Sequence, residues 1–239
     1  MLPSLKLGIG VATIGTIAGA GYAGSTYFLN NDQNNIDNNK DTDKEEDNPI
    51  TTTSIRTKIE SEFQYILLKT EGQTDDSYWQ ENWKNYKTEN TNNDTGKDIF
   101  KLEGWVKGGS KDLVEQLKSK CLELSGANLS GENDPTYSNV TKYCSRGVTV
   151  KEDAEKKGKT ILVTDPNGSH KNIWNTRNTN KDSLKDSLDK LNIKGTDLNA
   201  DKIREGCATA KSQNKQAQEY QKIYDAYVKV CTKQDGDTE

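Results

Sequence analysis

Four cysteines and a single histidine are the residues of this chain with the most distinctive chemistry. The cysteines stand at 121, 144, 207 and 231, so the first two are 23 positions apart and the last two 24. No two have the close spacing that zinc sites use, and His170 is the only histidine, so no metal site is expected. On an exported chain such cysteines point to disulfides, with more than one pairing open. Nucleophilic catalysis of the Ser-His or Cys-His type would have to use His170. It lies in the turn-like Asn167-Gly168-Ser169-His170, with no nucleophile elbow and no apolar strand around it. Carboxylates are abundant but have no spacing that singles out an acid/base pair. The expectation is a protein without enzymatic activity or cofactor, with His170 a loop residue.

The elements that must position the cysteines look duplicated. Tyr137-Ser138-Asn139-Val140-Thr141-Lys142-Tyr143-Cys144 and Tyr224-Asp225-Ala226-Tyr227-Val228-Lys229-Val230-Cys231 both place Tyr seven positions before Cys and Lys two before it. A tryptophan precedes each pair, Trp83 and Trp174, and Ile66-Leu67-Leu68 loosely echoes Ile161-Leu162-Val163. This repetition favours Cys121–Cys144 and Cys207–Cys231, each closing one helical hairpin and each contributing about 3 kcal/mol by loop closure. An unbroken helix over 200–231 would hold its two sulfurs about 36 Å apart, so the second bridge requires a break near 210–214. Two units follow, 54–147 and 148–239.

Within them the helical signals are local. Ile55, Ile59, Phe63, Ile66 and Leu67 recur at three- and four-residue steps, predicting a helix over 54–68 closed by Gly72. Trp79, Trp83 and Tyr86 form an aromatic stripe of core type. Ser110 is the expected cap of a helix carrying Leu113, Val114, Leu117, Cys121 and Leu124, with Gly126 its stop. Asp134-Pro135 starts the next, which Gly147 ends. Leu184, Leu188 and Leu191 predict a helix ended by Gly195, and Asn199 caps one bearing Ile203, Cys207 and Ala210. A final amphipathic run carries Ala217, Tyr220, Tyr224, Tyr227, Val228 and Cys231. The stretch 159–164, followed by Asp-Pro-Asn-Gly, reads equally well as a short strand and turn.

Upstream, residues 5–29 contain one charge, Lys6, and the run from Leu7 to Leu29 is long enough to cross a bilayer as a helix. Lys6 before it and acidic residues after it place the N-terminus inside and the bulk outside. Ala18-Gly19-Ala20 also matches a signal-cleavage site, which would release the protein. Gly19-Ala20-Gly21-Tyr22-Ala23-Gly24 matches a dinucleotide-binding pattern but has no strand–helix context, and reads as membrane-helix composition. Gly15 and Gly19 are spaced for close helix approach, a weak signal for self-association. Residues 30–53 hold seven acidic residues against Lys40 and Lys44, a net −5, and predict a disordered spacer. Asp41-x-Asp43-x-Glu45 lacks the glycine of a calcium loop.

The whole chain is 31% hydrophobic and 29% charged with net charge −4. Since the spacer carries −5 and Lys6 +1, residues 54–239 are neutral and lack the basic footprint of a nucleic-acid binder. The expected fold is mainly α: a transmembrane helix (1–29), a disordered linker (30–53), and a helical ectodomain of two duplicated, disulfide-linked units.

The small-residue segment from Gly8 to Gly24, the Asn/Asp/Lys-rich body and Tyr143-Cys144-Ser145-Arg146-Gly147-Val148 together resemble the large paralogous families of short proteins of haemotropic mycoplasmas. The resemblance covers the full chain and implies a single-pass surface protein of a wall-less bacterium, an antigen or host-contact module. It brings no catalytic residues. The expected partners are the lipid bilayer and a host surface protein, with weak homo-oligomerisation through the anchor. The competing readings are a self-associating structural membrane protein, a secreted protein, and a degenerate exported enzyme that uses His170.

Overall fold

A computed structural model of the chain describes residues 53–239. The expected anchor, with Leu7, Gly15, Gly19 and Leu29, and the spacer to residue 52 lie outside the described residues. Among the described residues there are nine helices and one two-stranded sheet, and no helix is long and apolar enough to cross a membrane.

Ser54 caps α1 (Ile55–Glu62), its hydroxyl accepting from the Thr57 N–H. Ile55 and Ile59 turn inward. The helix does not run on to Leu68 as the apolar spacing predicts. Phe63 adopts a left-handed conformation (φ 48°), and Tyr65–Leu67 forms β1, antiparallel to β2 (Ser145–Gly147). A three-residue strand has no periodicity of its own, and its partner lies about 80 residues away, so local pattern alone favours the helix. Arg146 and Gly147, expected as a helix end, form β2 instead.

In α2 (Asp76–Asn90) the Trp79, Trp83 and Tyr86 stripe is buried as expected. The connection to α3 (Val114–Gly126) supplies Phe100, Leu102 and Trp105 to the same core, a contribution that no periodicity announces. Tyr86 donates its hydroxyl to Asp98 (2.5 Å) and accepts from the Phe100 N–H, which pins that connection to α2. Ser110 does not cap α3; Asp112 Oδ1 accepts from the Val114 N–H instead. Asp134 caps α4 (Pro135–Tyr143) with proline in its first turn, as its sequence predicts.

The chain then passes through β2 into α5 (Val150–Lys156), started by a Thr149/Glu152 capping box and absent from the periodicity reading. It continues through α6 (Lys171–Thr179), α7 (Lys185–Lys190), α8 (Ala200–Ala210) and α9 (Tyr220–Cys231). Helix α7 stops well before Gly195, because Asn192 already takes a left-handed φ of 59°. One core gathers residues between Ile55 and Cys144, the other residues between Val150 and Cys231.

The same local contacts occur in both halves. The Leu68 N–H donates to Cys144 O and the Leu162 N–H to Cys231 O, each at 3.0 Å. Trp79 Nε1 donates to Lys69 O and Trp174 Nε1 to Val163 O. The Ile55 N–H donates to Ala127 O and the Val150 N–H to Gln213 O. Asn82 Nδ2 bonds the carbonyls of Tyr143 and Ser145, on either side of Cys144. Arg177 does the same to Val230 and Thr232, on either side of Cys231. Corresponding residues are therefore 94 or 95 apart up to α2 and α6, and 86 or 87 apart from α3 and α8 onward. The contacts correct two details of the sequence comparison. Trp79, not Trp83, corresponds to Trp174, and the upstream echo shifts by one residue, Leu67 matching Ile161.

Candidate functional site

The cysteine chemistry resolves into structure. Cys121 on α3 bridges Cys144 at the end of α4, and Cys207 on α8 bridges Cys231 at the end of α9, with Cα atoms 5.4 and 5.7 Å apart. These separations lie within the usual range for a disulfide. Helix α8 ends at Ala210 and α9 begins at Tyr220, so the chain turns back between them as the second bridge demands. All four side chains are buried, and among the described residues no cysteine is free.

His170 is held as a structural residue. Its Nδ1 accepts from the Val163 N–H (2.8 Å), and Nε2 lies 3.4 Å from Glu239. In the first half Asp75 Oδ2 accepts from the Lys69 N–H at the corresponding place. Both acceptors precede by four residues the tryptophan that bonds the same loop, so the histidine replaces a carboxylate in a loop-fixing position. Among the described residues no hydroxyl or thiol hydrogen-bonds it, and no group of His, Cys, Asp and Glu is gathered to hold a metal.

The most organised polar surface lies where the halves meet. Phe63, turned out of α1 by its left-handed backbone, sits beneath Lys156 (3.8 Å from ring centre) and Lys215 (5.4 Å). Lys215 also donates to Phe63 O and pairs with Asp153, which accepts from Tyr220 and Lys157. Beside this cluster Arg146 on β2 makes a bidentate pair with Glu152 of α5 and lies 5.4 Å from the ring centre of Tyr78 on α2. The cleft along this seam, about 330 Å³, is lined by Tyr65, Tyr78, Asn82, Arg146, Asn214 and Gln216. Aromatic and arginine side chains on rigid backbone are what protein-binding surfaces favour. No residue here was singled out as a site from sequence, because the segments around Phe63, Tyr78, Arg146 and Lys215 are separate in the chain.

Partial burial works against the Glu152 charge, yet the Arg146 guanidinium and the Thr149 N–H and hydroxyl outweigh it and hold the carboxyl at about 2. A lowered folded pKa adds stability that is full above the ordinary value of 4.5 and is lost as pH falls toward 2. Glu152→Gln removes that share, about 1–2 kcal/mol after solvent screening of a partly exposed pair. Urea midpoints at pH 6 and pH 3 should therefore differ less in the variant than in the wild type; equal differences refute this assignment.

No family model, no curated protein and no solved structure matches this chain.

Proposed function

We propose that the chain is a non-enzymatic surface protein, held at a cell membrane by residues 5–29 and presenting residues 54–239 outside for contact with a host molecule. The observation that carries the reading is the engagement of all four cysteines in buried disulfides, a chemistry that persists in oxidising surroundings outside the cytoplasm. Topology from Lys6 and the acidic spacer agrees with that side of the membrane. The repeated contact set supports descent of 54–147 and 148–239 from one duplicated helical unit, each locked by its own bridge. The seam cleft around Tyr78 and Arg146 is the surface we assign to partner contact. Kinship with the haemotropic mycoplasma surface families belongs to the same reading.

Protease shaving of intact cells, followed by mass spectrometry, tests the topology. The expected result is release of peptides from 54–239 while the N-terminal segment stays with the membrane. Shaving that frees no such peptide refutes surface exposure, and intact chain beginning after Ala20 in the medium replaces the tether with a secreted form.

A further inference from the structure

The two halves differ most informatively where α2 faces α3 and α6 faces α8. In the first half Lys118 of α3 pairs with Glu115 on its own helix (3.0 Å) and with Asp76 across on α2 (3.7 Å). Trp83, about two turns further along α2, is buried against Trp105 and Tyr86. By the 86-residue offset set by Cys121 and Cys207, Glu115 corresponds to Asp201 and Lys118 to Arg204. The 95-residue offset of Trp79 and Trp174 makes Lys171 the counterpart of Asp76, and Asn178 that of Trp83.

The second half keeps the basic residue and its own-helix acid, Arg204 Nη1 lying 2.8 Å from Asp201. Across the helices it carries a base where the first half has an acid, and a small amide where the first half has an indole. A cleft of about 540 Å³ lies here, lined among others by Pro166, Lys171, Trp174, Asn178, Asp201 and Arg204. Two of these lining residues each carry a buried polar atom without a hydrogen-bond partner, Arg204 Nε and Asn178 Oδ1. Arg204 is only 11% exposed along its side chain, so water replaces the missing partners poorly. Lys171 makes no ion pair among the described residues. Apart from Asp201 on its own helix, Arg204 has no carboxylate partner across the helices as Lys118 has in Asp76.

We infer that the α6–α8 cleft is a binding site for a small organic acid, whose carboxylate takes the place that Asp76 holds in the first half and whose neighbouring hydroxyl or ammonium donates to Asn178 Oδ1. Arg204 presents Nε beside its terminal nitrogens in a planar fork suited to a carboxylate. Lys171 at the mouth adds a second positive charge. Asp201 pairs with Nη1 of the same guanidinium and is exposed, so it remains open to an ammonium group. Two ligand sources share this chemistry, α-amino acids and sugar acids.

The test uses the full-length chain in detergent, with L-glutamate and D-glucuronate as probes and the uncharged methyl ester of glucuronate as control. Titration is followed on the Arg204 Nε–H resonance, assigned by its loss in Arg204→Lys, and by calorimetry. The expected result is saturable binding of at least one acid, a shift of that resonance, and no response to the ester. Lys171→Asp restores the acid of the first half, closes on Arg204 and should weaken binding about 10-fold or more. Its circular dichroism should match the wild type, because Asp76 holds that position without harm. No saturation by either acid overturns the inference. So does binding that Lys171→Asp and Arg204→Gln both leave unchanged, or an equal response to the ester.

Discussion

Replacing Cys207 and Cys231 together by alanine should lower the stability of the second half by about 3.5 kcal/mol, the loop-closure value for a ring of this size. The bridge joins positions 24 apart in sequence, and both side chains lie in the core with Ile203, Tyr227 and Val230. Alanine avoids burying hydroxyls at two places without partners. On a domain of this length the loss corresponds to a fall in Tm of about 7–14 °C. Cys121→Ala with Cys144→Ala should cost nearly the same, since that ring spans 23 positions. The two losses should add in the quadruple variant, because each bridge sits in its own core. Urea titration followed by far-ultraviolet circular dichroism checks all three variants. A loss below about 1 kcal/mol for either pair would remove the bridges from the account of how so small an apolar content holds this fold.

Arg177→Ala should be as damaging, costing about 3–5 kcal/mol, because it strands a buried carboxylate. The guanidinium sits between α6 and the last residues of the chain. It bonds both oxygens of Asp237 and the carbonyls of Val230 and Thr232. Arg177 holds the Asp237 carboxyl below its ordinary value, the sign of a pair that stabilises the charged form. Arg177 and Asp237 side chains are 7% and 6% exposed, so neither charge is relieved by solvent once its partner is gone. Replacing both, Arg177→Met with Asp237→Leu, should recover part of the loss. Hydrogen exchange of amides near 232–237 gives the local readout. Unchanged protection in Arg177→Ala would show that the C-terminal residues are held by something else. The first half performs the same carbonyl clamp with Asn82, an uncharged side chain, and needs no counter-ion there.

Much of the helical layout is readable from single residues. Asp134-Pro135 and Asn199 start their helices as their types dictate, each side chain accepting a backbone N–H from the first turn. Trp79, Trp83 and Tyr86 turn to the core because helical spacing aligns them. The weaker readings share one cause. Tyr65–Leu67 continues an apolar helical pattern, and only pairing with Ser145–Gly147 makes it a strand. Phe100, Leu102 and Trp105 follow no period, since an irregular connection can bury side chains without repeating them. Helix α5 is short and mostly charged, and its capping box is its only clear local signal.

Residue type and spacing by themselves determined the helices with strong caps, the stripe around Trp79, and the disulfide pairing inferred from a repeated Tyr…Cys octet. Those features depend on neighbours within a turn or two, or on likeness between two stretches of one sequence. The tertiary structure alone decided the seam at Phe63 and Arg146, the clamp at Arg177, the structural role of His170, and the cleft under Arg204. Each of these depends on which distant side chain faces which. A substitution such as Lys171 for the acid of the other half acquires meaning only when folding brings Arg204 opposite it.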